Sequence, residues 1–297
     1  MNVRRFFMLL LVFLLWEACG HRAREAESDF AFLVLSDTHI SSDTVKTERL
    51  RRFVQRVNRG AFPGVELLFI TGDVVSNVYG LRYTPENPDT SDNRVQRVIS
   101  VLSELQIPYY LAMGNHDHKI ASFRDSDWPW PQDELVRMQR LWKRMTGFDP
   151  YYAVEHKGWK FIVLNSMGGR HLERHFDDEQ MDWLERELAE RRPSVLFFHH
   201  PIRTDSFRIW SKPGQWTNPE RDPRFYEILK KHRQHVKAIF VGHGHFYMHD
   251  VLFESIPVYE TDSFGEGSDT SFYLVSIDRK QKAVTPVRGE VLEVEER

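Results

Sequence analysis

A single cysteine, Cys19, stands in a chain of 297 residues. No disulfide can therefore form within the chain, and no cluster of thiolates is available to hold a metal. An excess of one charge is also missing: 40 Lys and Arg against 43 Asp and Glu leave a formal net charge of −3. That balance lacks the basic footprint of a nucleic-acid binder. No apolar run approaches the roughly 20 residues that a spanning helix needs; the longest, Phe6 to Trp16, has 11. Internal repeats and low-complexity blocks are absent too. What remains is 41% hydrophobic and 13% aromatic, enough for a substantial core. Histidine is frequent, with 14.

The start of the chain reads as an export signal. Arg4 and Arg5 precede the apolar run, and Glu17-Ala18-Cys19-Gly20 follow it. Cys19 directly after Ala18 resembles a bacterial lipobox, in which the thiol is lipidated, although Trp16 and Glu17 depart from that pattern. Conventional cleavage at Ala18-Cys19-Gly20 is the competing route. The expected layout is a signal over residues 1–20, a polar tether over 21–29 and one domain over 30–297. Export to the cell envelope follows, lipid-anchored through Cys19 or else periplasmic or extracellular.

Beyond the tether, strands alternate with helices. Phe30–Ser36, Leu67–Thr71, Tyr109–Met113, Val195–Phe198 and Ala238–Val241 are short apolar runs that read as buried strands. Tyr151–Glu155 and Trp159–Asn165 read as a strand pair around a turn at Lys157-Gly158. Helical spacing marks Thr44–Arg59, the stretch Val95–Leu105, Asp133–Met145, Asp178–Arg191 and Phe225–Lys231, with Asp177 or Asp178 as a cap. The order argues for an α/β fold. Four β-like runs after Val251 argue for a mixed or second sheet packed against the first.

Chemistry collects where the strands stop. Asp37 and His39, Asp73, Asn115 with His116 and Asp117, His199, and His243 with His245 follow five of these runs. In α/β sheets such positions open into the functional crevice. An extended chain points residues i and i+2 the same way, so Asp37 and His39 can face one metal. His243 and His245 can reach toward two metals about 3.5–4 Å apart. Imidazole, carboxylate and amide oxygen together suit Mn, Fe or Zn. Taken singly, Asp37 and Asp73 would be turn or cap residues, and a lone histidine is more often a satisfied partial-core residue. His200, held extended by Pro201, is at best behind a ligand. His118, His156, His171, His175, His232, His235 and His249 get the ordinary reading.

Asp37-Thr38-His39, Gly72-Asp73, Gly114-Asn115-His116-Asp117, His199 and Gly242-His243-Gly244-His245 resemble the ordered motifs of the calcineurin-like metallophosphoesterases, over roughly Phe32 to Phe246. The resemblance implies a single-domain αββα sandwich of two mostly mixed sheets flanked by helices. It implies a metal-dependent hydrolase of phosphomonoesters or phosphodiesters with two metal ions. One ion would be held by Asp37, His39, Asp73 and His245, the other by Asp73, Asn115, His199 and His243. A metal-activated hydroxide would attack phosphorus in line. His116 would be the general acid, with Asp117 orienting its ring. His39, and the Val74-Val75-Ser76 that follows Asp73, depart from the purple acid phosphatases; the motif style resembles that of bacterial cyclic-nucleotide phosphodiesterases, and the motifs leave the substrate open.

The expected partner is a small-molecule phosphoester, with no nucleic acid, no indicated protein partner, and membrane association only through the N-terminus. A nuclease of the same superfamily and a non-catalytic interaction module on the same fold are the alternatives. Trp128, Trp130, Trp210 and Trp216 lie on two loops that begin beside the site motifs. Such loops can set specificity, so these rings are expected either to wall the crevice or to pack the loops onto the body.

Overall fold

The computed structural model describes residues 29–84, 86–120, 129–206, 217 and 219–290. The signal over 1–20, the tether as far as residue 28, and Trp128, Trp210 and Trp216 lie outside the described residues. No helix among the described residues is long and apolar enough to cross a membrane.

Among the described residues, eleven strands form two mixed sheets. The first contains β1 (Phe30–Leu35), β2 (Val65–Ile70), β3 (Tyr109–Leu111), β10 (Tyr273–Asp278) and β11 (Ala283–Arg288), in the order β11-β10-β1-β2-β3. The second contains β4 (Tyr152–His156), β5 (Trp159–Val163), β6 (Ser194–Phe197), β7 (Val236–Val241), β8 (Met248–Leu252) and β9 (Ile256–Glu260), in the order β4-β5-β6-β7-β9-β8. Strands β1, β2 and β3 run parallel, as do β5, β6, β7 and β9.

The inner strands read as unbroken apolar runs because both of their faces are covered. Phe32, Phe69, Phe161, Phe197 and Phe240 fill the space between the sheets. Phe69 and Phe197 stack with centroids 4.0 Å apart, and Phe32 meets four of the other rings edge-on at 5.5–5.9 Å. Leu33 and Leu35 point the opposite way, into a cluster with Leu50, Phe53 and Val54 of α1 (Thr44–Asn58), Val98 of α2 (Arg94–Leu102) and Trp142 of α3 (Gln132–Thr146). On the other side, Ile162, Leu196 and Ile239 pack with Leu184 of α4 (Asp178–Ala189) and Leu229 of α5 (Pro223–His232). The result is a single-domain αββα sandwich. Asp43, Asn93 and Asp177 cap α1, α2 and α4 by accepting from the backbone amides of Val45, Gln96 and Gln180.

Of the mixed or second sheet expected at the β-rich end the mixed form is found, and one strand boundary shifts. The C-terminal β-rich run does not make a sheet of its own: β8 and β9 extend the second sheet beside β7, while β10 returns to pair antiparallel with β1. And β3 ends at Leu111, two residues before Met113. Ala112 still bonds to the Ile70 carbonyl, at 2.9 Å. The chain then leaves the sheet so that the Gly114 amide can meet the Asp117 carboxylate at 2.8 Å.

Candidate metal centre

Five parallel strands end on one side of the sandwich. β1 delivers Asp37 and His39, β2 Asp73, β3 Asn115 and His116, β6 His199, and β7 His243 and His245. The side chains converge into two adjoining groups. In the first, His39 Nε2 and Asp37 Oδ1 lie 3.2 Å and 3.2 Å from His245 Nε2 and 3.6 Å from each other. In the second, Asn115 Oδ1 lies 3.0 Å from His199 Nε2 and 3.1 Å from His243 Nδ1, and these two nitrogens are 3.1 Å apart. Asp73 Oδ2 stands between the groups, 3.7 Å from His39 Nε2 and 3.3 Å from His199 Nε2.

Each donor is aimed from behind. Ser36 Oγ and the His243 amide hold Asp37 Oδ2, at 2.5 and 2.9 Å, and leave Oδ1 to the cluster. The His116 amide holds Asp73 Oδ1 at 2.7 Å and leaves Oδ2 facing both groups. His199 Nδ1 lies 3.1 Å from the Thr71 carbonyl and His245 Nδ1 2.9 Å from Glu266 Oε2. Both contacts fix a proton on Nδ1, so that Nε2, toward the cluster, is the nitrogen a metal would take once its own proton leaves. Imidazole nitrogens that face each other at 3.1–3.2 Å beside carboxylate oxygens repel unless a proton or a cation sits among them. The donor set fits divalent metal.

The backbone reaches this arrangement by a route other than extended alternation. Asp37, His39, Asp73, His243 and His245 all take positive φ, from 43° to 74°. Left-handed backbone at residues with a Cβ costs about 1–3 kcal/mol each, and here the surrounding bonds impose it. His39 N bonds to the Asp73 carbonyl at 3.0 Å, Asp37 N to the Gly72 carbonyl at 3.0 Å, and Gly265 N to the Asp37 carbonyl at 2.9 Å. Gly114 serves by its size: a Cβ there would lie 2.2 Å from Asp73 Oδ1.

The family model for calcineurin-like phosphoesterases matches residues 30–247. A probable cyclic nucleotide phosphodiesterase of Rhodopseudomonas palustris is 29% identical over 223 residues, 72% of this chain and 71% of that protein. One of Synechococcus is 26% identical over 182 residues, 61% of this chain and 58% of that protein, so under two thirds of its length is matched. Among solved structures, a dimetal phosphatase from Danio rerio superposes with a TM-score of 0.60 at 13% identity, covering 87% of this chain and 98% of that one. The chain belongs to the calcineurin-like phosphoesterase family. By family it is a phosphoesterase, and the family uses divalent metals.

In this phosphoesterase the ring of His116 is oriented by a different group from the one expected. Its Nδ1 lies 2.7 Å from the Ser76 carbonyl. Asp117 is fully buried, and its carboxylate accepts from the amides of Val74, Val75 and Gly114 at 2.8–3.2 Å. Asp117 therefore ties the loops after β2 and β3 together. Burial and the nearby Asp73 push its carboxyl up to about 7 against those three donors.

Of the two roles expected for Trp130 the packing one is found: it is 2% exposed and packs with Leu135 and Met167, so it holds its loop to the body. His200 lies behind His243, with ring centroids 4.9 Å apart and Nδ1 2.8 Å from Ser166 Oγ. His118 bonds to the Gly114 carbonyl at 2.8 Å, and His175 to Asp222 at 3.1 Å.

The charges are strongly unequal. Burial raises the Asp37 carboxyl, but hydrogen bonds with His245 and His39 outweigh it and hold the group well below the carboxylate range. Asp73 is likewise lowered, since His199 and His116 oppose its burial. His199 rises to about 9, because the Asp73 charge overcomes desolvation, and His245 rises to about 9 through Asp37. His243, buried beside the His199 charge, falls to about 3. Protons on His199 and His245 thus sit where cation charge is wanted, and a metal would displace them.

Sequence reading missed four supporting residues. Ser36, Ser76 and Glu266 hold site side chains from behind, and Lys119 places Nζ 3.3 Å from His116 Nε2. Glu266 had a findable signal: it follows β9, another parallel strand ending on this side. Glu266→Gln should weaken metal affinity about 10- to 100-fold, as loss of such a partner does. The deficit should fall on one of two resolved binding steps in a metal titration. Equal weakening of both steps would show that Glu266 acts on the site only as a general charge.

Proposed function

We propose that this chain is an exported hydrolase of small phosphodiesters, cyclic nucleotides foremost, working at a two-metal centre. The observation that carries the reading is the Asp73 carboxylate, set between two groups of donors with Oδ2 facing both. Asp37, His39 and His245 would complete one site, and Asn115, His199 and His243 the other. Mn, Fe and Zn are the ions that suit these donors. When bound, such a pair would neutralise phosphate charge and acidify a water. The bacterial relatives, probable cyclic nucleotide phosphodiesterases, support the choice of cyclic nucleotide.

The protein's own contribution is positioning and proton transfer. Anionic Asp37 and Asp73 hold the cationic charge that draws phosphate into the crevice. His116 Nε2 faces the same space, 4.0 Å from Asp73 Oδ2, with 30% of its side chain exposed. With Nδ1–H given to the Ser76 carbonyl, Nε2 is the nitrogen that faces the departing oxygen; it accepts from Lys119 Nζ at 3.3 Å and would pass on a proton drawn from that ammonium. Lys119 Nζ beside it adds a positive charge against which the leaving oxygen can rest.

A hydrolysis panel with Mn²⁺ on the purified chain tests this reading. The panel holds bis-nitrophenyl phosphate, nitrophenyl phosphate, cyclic AMP and GMP, and single-stranded DNA. Diesters and cyclic nucleotides should exceed the monoester by about tenfold or more in kcat/KM, a gap of ~1.4 kcal/mol. Monoester preference makes the chain a phosphatase, and turnover of DNA alone makes it a nuclease. Inertness toward all would favour an interaction module.

Export and anchoring rest on Arg4, Arg5, the Phe6–Trp16 run and Cys19. If Cys19 carries acyl chains, the wild type partitions with membranes and Cys19→Ser becomes soluble or stays an unprocessed precursor. Identical soluble fractionation of the two forms leaves conventional cleavage as the better account.

A further inference from the structure

The side of the sandwich away from the metal centre carries a concentration of positive charge that hydrolysis does not use. Between the end of α4 and the turn from α5 into β7 lies an open groove of about 770 Å³. Exposed Arg191, Lys230, Lys231 and Arg233 line it, with Glu227 as the one carboxylate. Lys231 is partly neutralised by Glu185, at 2.6 Å. The field extends beyond the groove. His235, on its wall, is held below its ordinary value by burial and by Lys237, Arg191 and Lys282, and Lys237 is lowered by burial and by Lys282. This concentration sits in a chain whose formal net charge is −3.

Its position relative to the N-terminus follows from strand direction. The site residues follow the C-terminal ends of β6 and β7, whereas the groove precedes their N-terminal ends; Ser194 N bonds to the His235 carbonyl at 2.8 Å. β1 also begins on that side. Phe30 meets His156 and Phe161 at the start of the second sheet, with ring centroids at 4.8 and 6.1 Å. Arg279, in the turn from β10 to β11, donates its amide to Asp29 at 3.0 Å, and Lys282 follows in the same turn. The described chain therefore begins on the groove side, at Asp29. Nine residues lie between Cys19 and Asp29, and the ten steps that join the two reach at most about 35 Å.

We propose that this basic side is a docking surface for an anionic lipid bilayer, seating the body with its metal centre facing away from the membrane. The proposal rests on the reading that the N-terminus is exported and membrane-associated. Charge complementarity and the start of the described chain on this side select the occupant. Lys and Arg near a negative headgroup layer attract it within a Debye length, and a short tether keeps them there. A crevice turned to solvent would then receive water-soluble phosphoesters unobstructed.

The test uses the purified full chain and two kinds of vesicle, phosphatidylcholine alone and phosphatidylcholine with phosphatidylglycerol. Binding to the neutral vesicles reports the N-terminal segment, and the gain from anionic lipid reports the groove. Wild type should gain at least about tenfold, and the gain should vanish in high salt. Lys230→Glu with Lys231→Glu and Arg233→Glu should keep the neutral binding, keep diester turnover as proof of folding, and lose the gain. Reversal of exposed Arg140, Lys143 and Arg144 on α3 should leave most of it. Equal partition of wild type into both vesicles overturns the proposal, as does equal loss from the α3 set. Displacement by free inorganic phosphate would make the groove a small-anion site and overturn it too. Failure to bind neutral vesicles would count against the anchor while leaving the anionic gain readable.

Discussion

Asp73→Asn is expected to lose both metal ions and at least about 10³-fold in kcat/KM, because one oxygen serves both donor groups. The substitution preserves shape and changes a single property. Asp73 Oδ1 is committed to the His116 amide at 2.7 Å, so an asparagine keeps its oxygen there and turns NH₂ toward His39 and His199. A nitrogen carrying two protons has no lone pair to share with a metal. The variant should fold, since the volume is unchanged and the backbone bond survives. His199, raised to about 9 chiefly by Asp73 against burial, should return toward a lower value, which NMR titration of the metal-depleted protein reads directly. Metal analysis decides the outcome. Both ions retained at wild-type stoichiometry would refute the bridging role, and loss of one would assign Asp73 to a single site.

His116→Ala separates proton transfer from metal binding. Its ring nitrogen stands 4.0 Å from Asp73 Oδ2 and could be taken for a ligand by distance alone. The general-acid reading predicts full metal content and a rate lower by roughly 10²–10⁴-fold. The loss should be large for alkoxide leaving groups, such as the ribose oxygen of a cyclic nucleotide, and small for nitrophenolate, which departs without a proton. Metal loss would move His116 among the ligands, and equal losses for both leaving groups would remove the acid role. Because Asp117 binds backbone amides of two loops, Asp117→Asn should act differently, through folding stability and metal retention together.

Much of this site was readable along the chain because each donor pair follows its strand locally. An apolar run followed by Asp-Thr-His, Gly-Asp, Gly-Asn-His or Gly-His-Gly-His shows both where the strand stops and what it presents. The geometric premise was less sound. Extended alternation was expected to align Asp37 with His39 and His243 with His245, whereas all four take left-handed backbone. Local propensity does not favour that conformation; bonds such as His39 N to the Asp73 carbonyl enforce it across 34 residues of sequence.

The sequence by itself determined the donor types and their order, the α/β alternation, and the helices whose apolar faces recur at helical spacing. These are properties of neighbouring residues, and they persist whatever the strands later pair with. Only the tertiary structure decided that β10 and β11 return to the first sheet while β8 and β9 join the second. A short alternating strand carries the same pattern beside any partner, and its place is settled by register and burial on both faces. The same limit hid Ser76 behind His116 and Glu266 behind His245. A hydrogen bond to a residue tens of positions away leaves no periodicity in the chain, and it exists only once the sheets have brought their ends together.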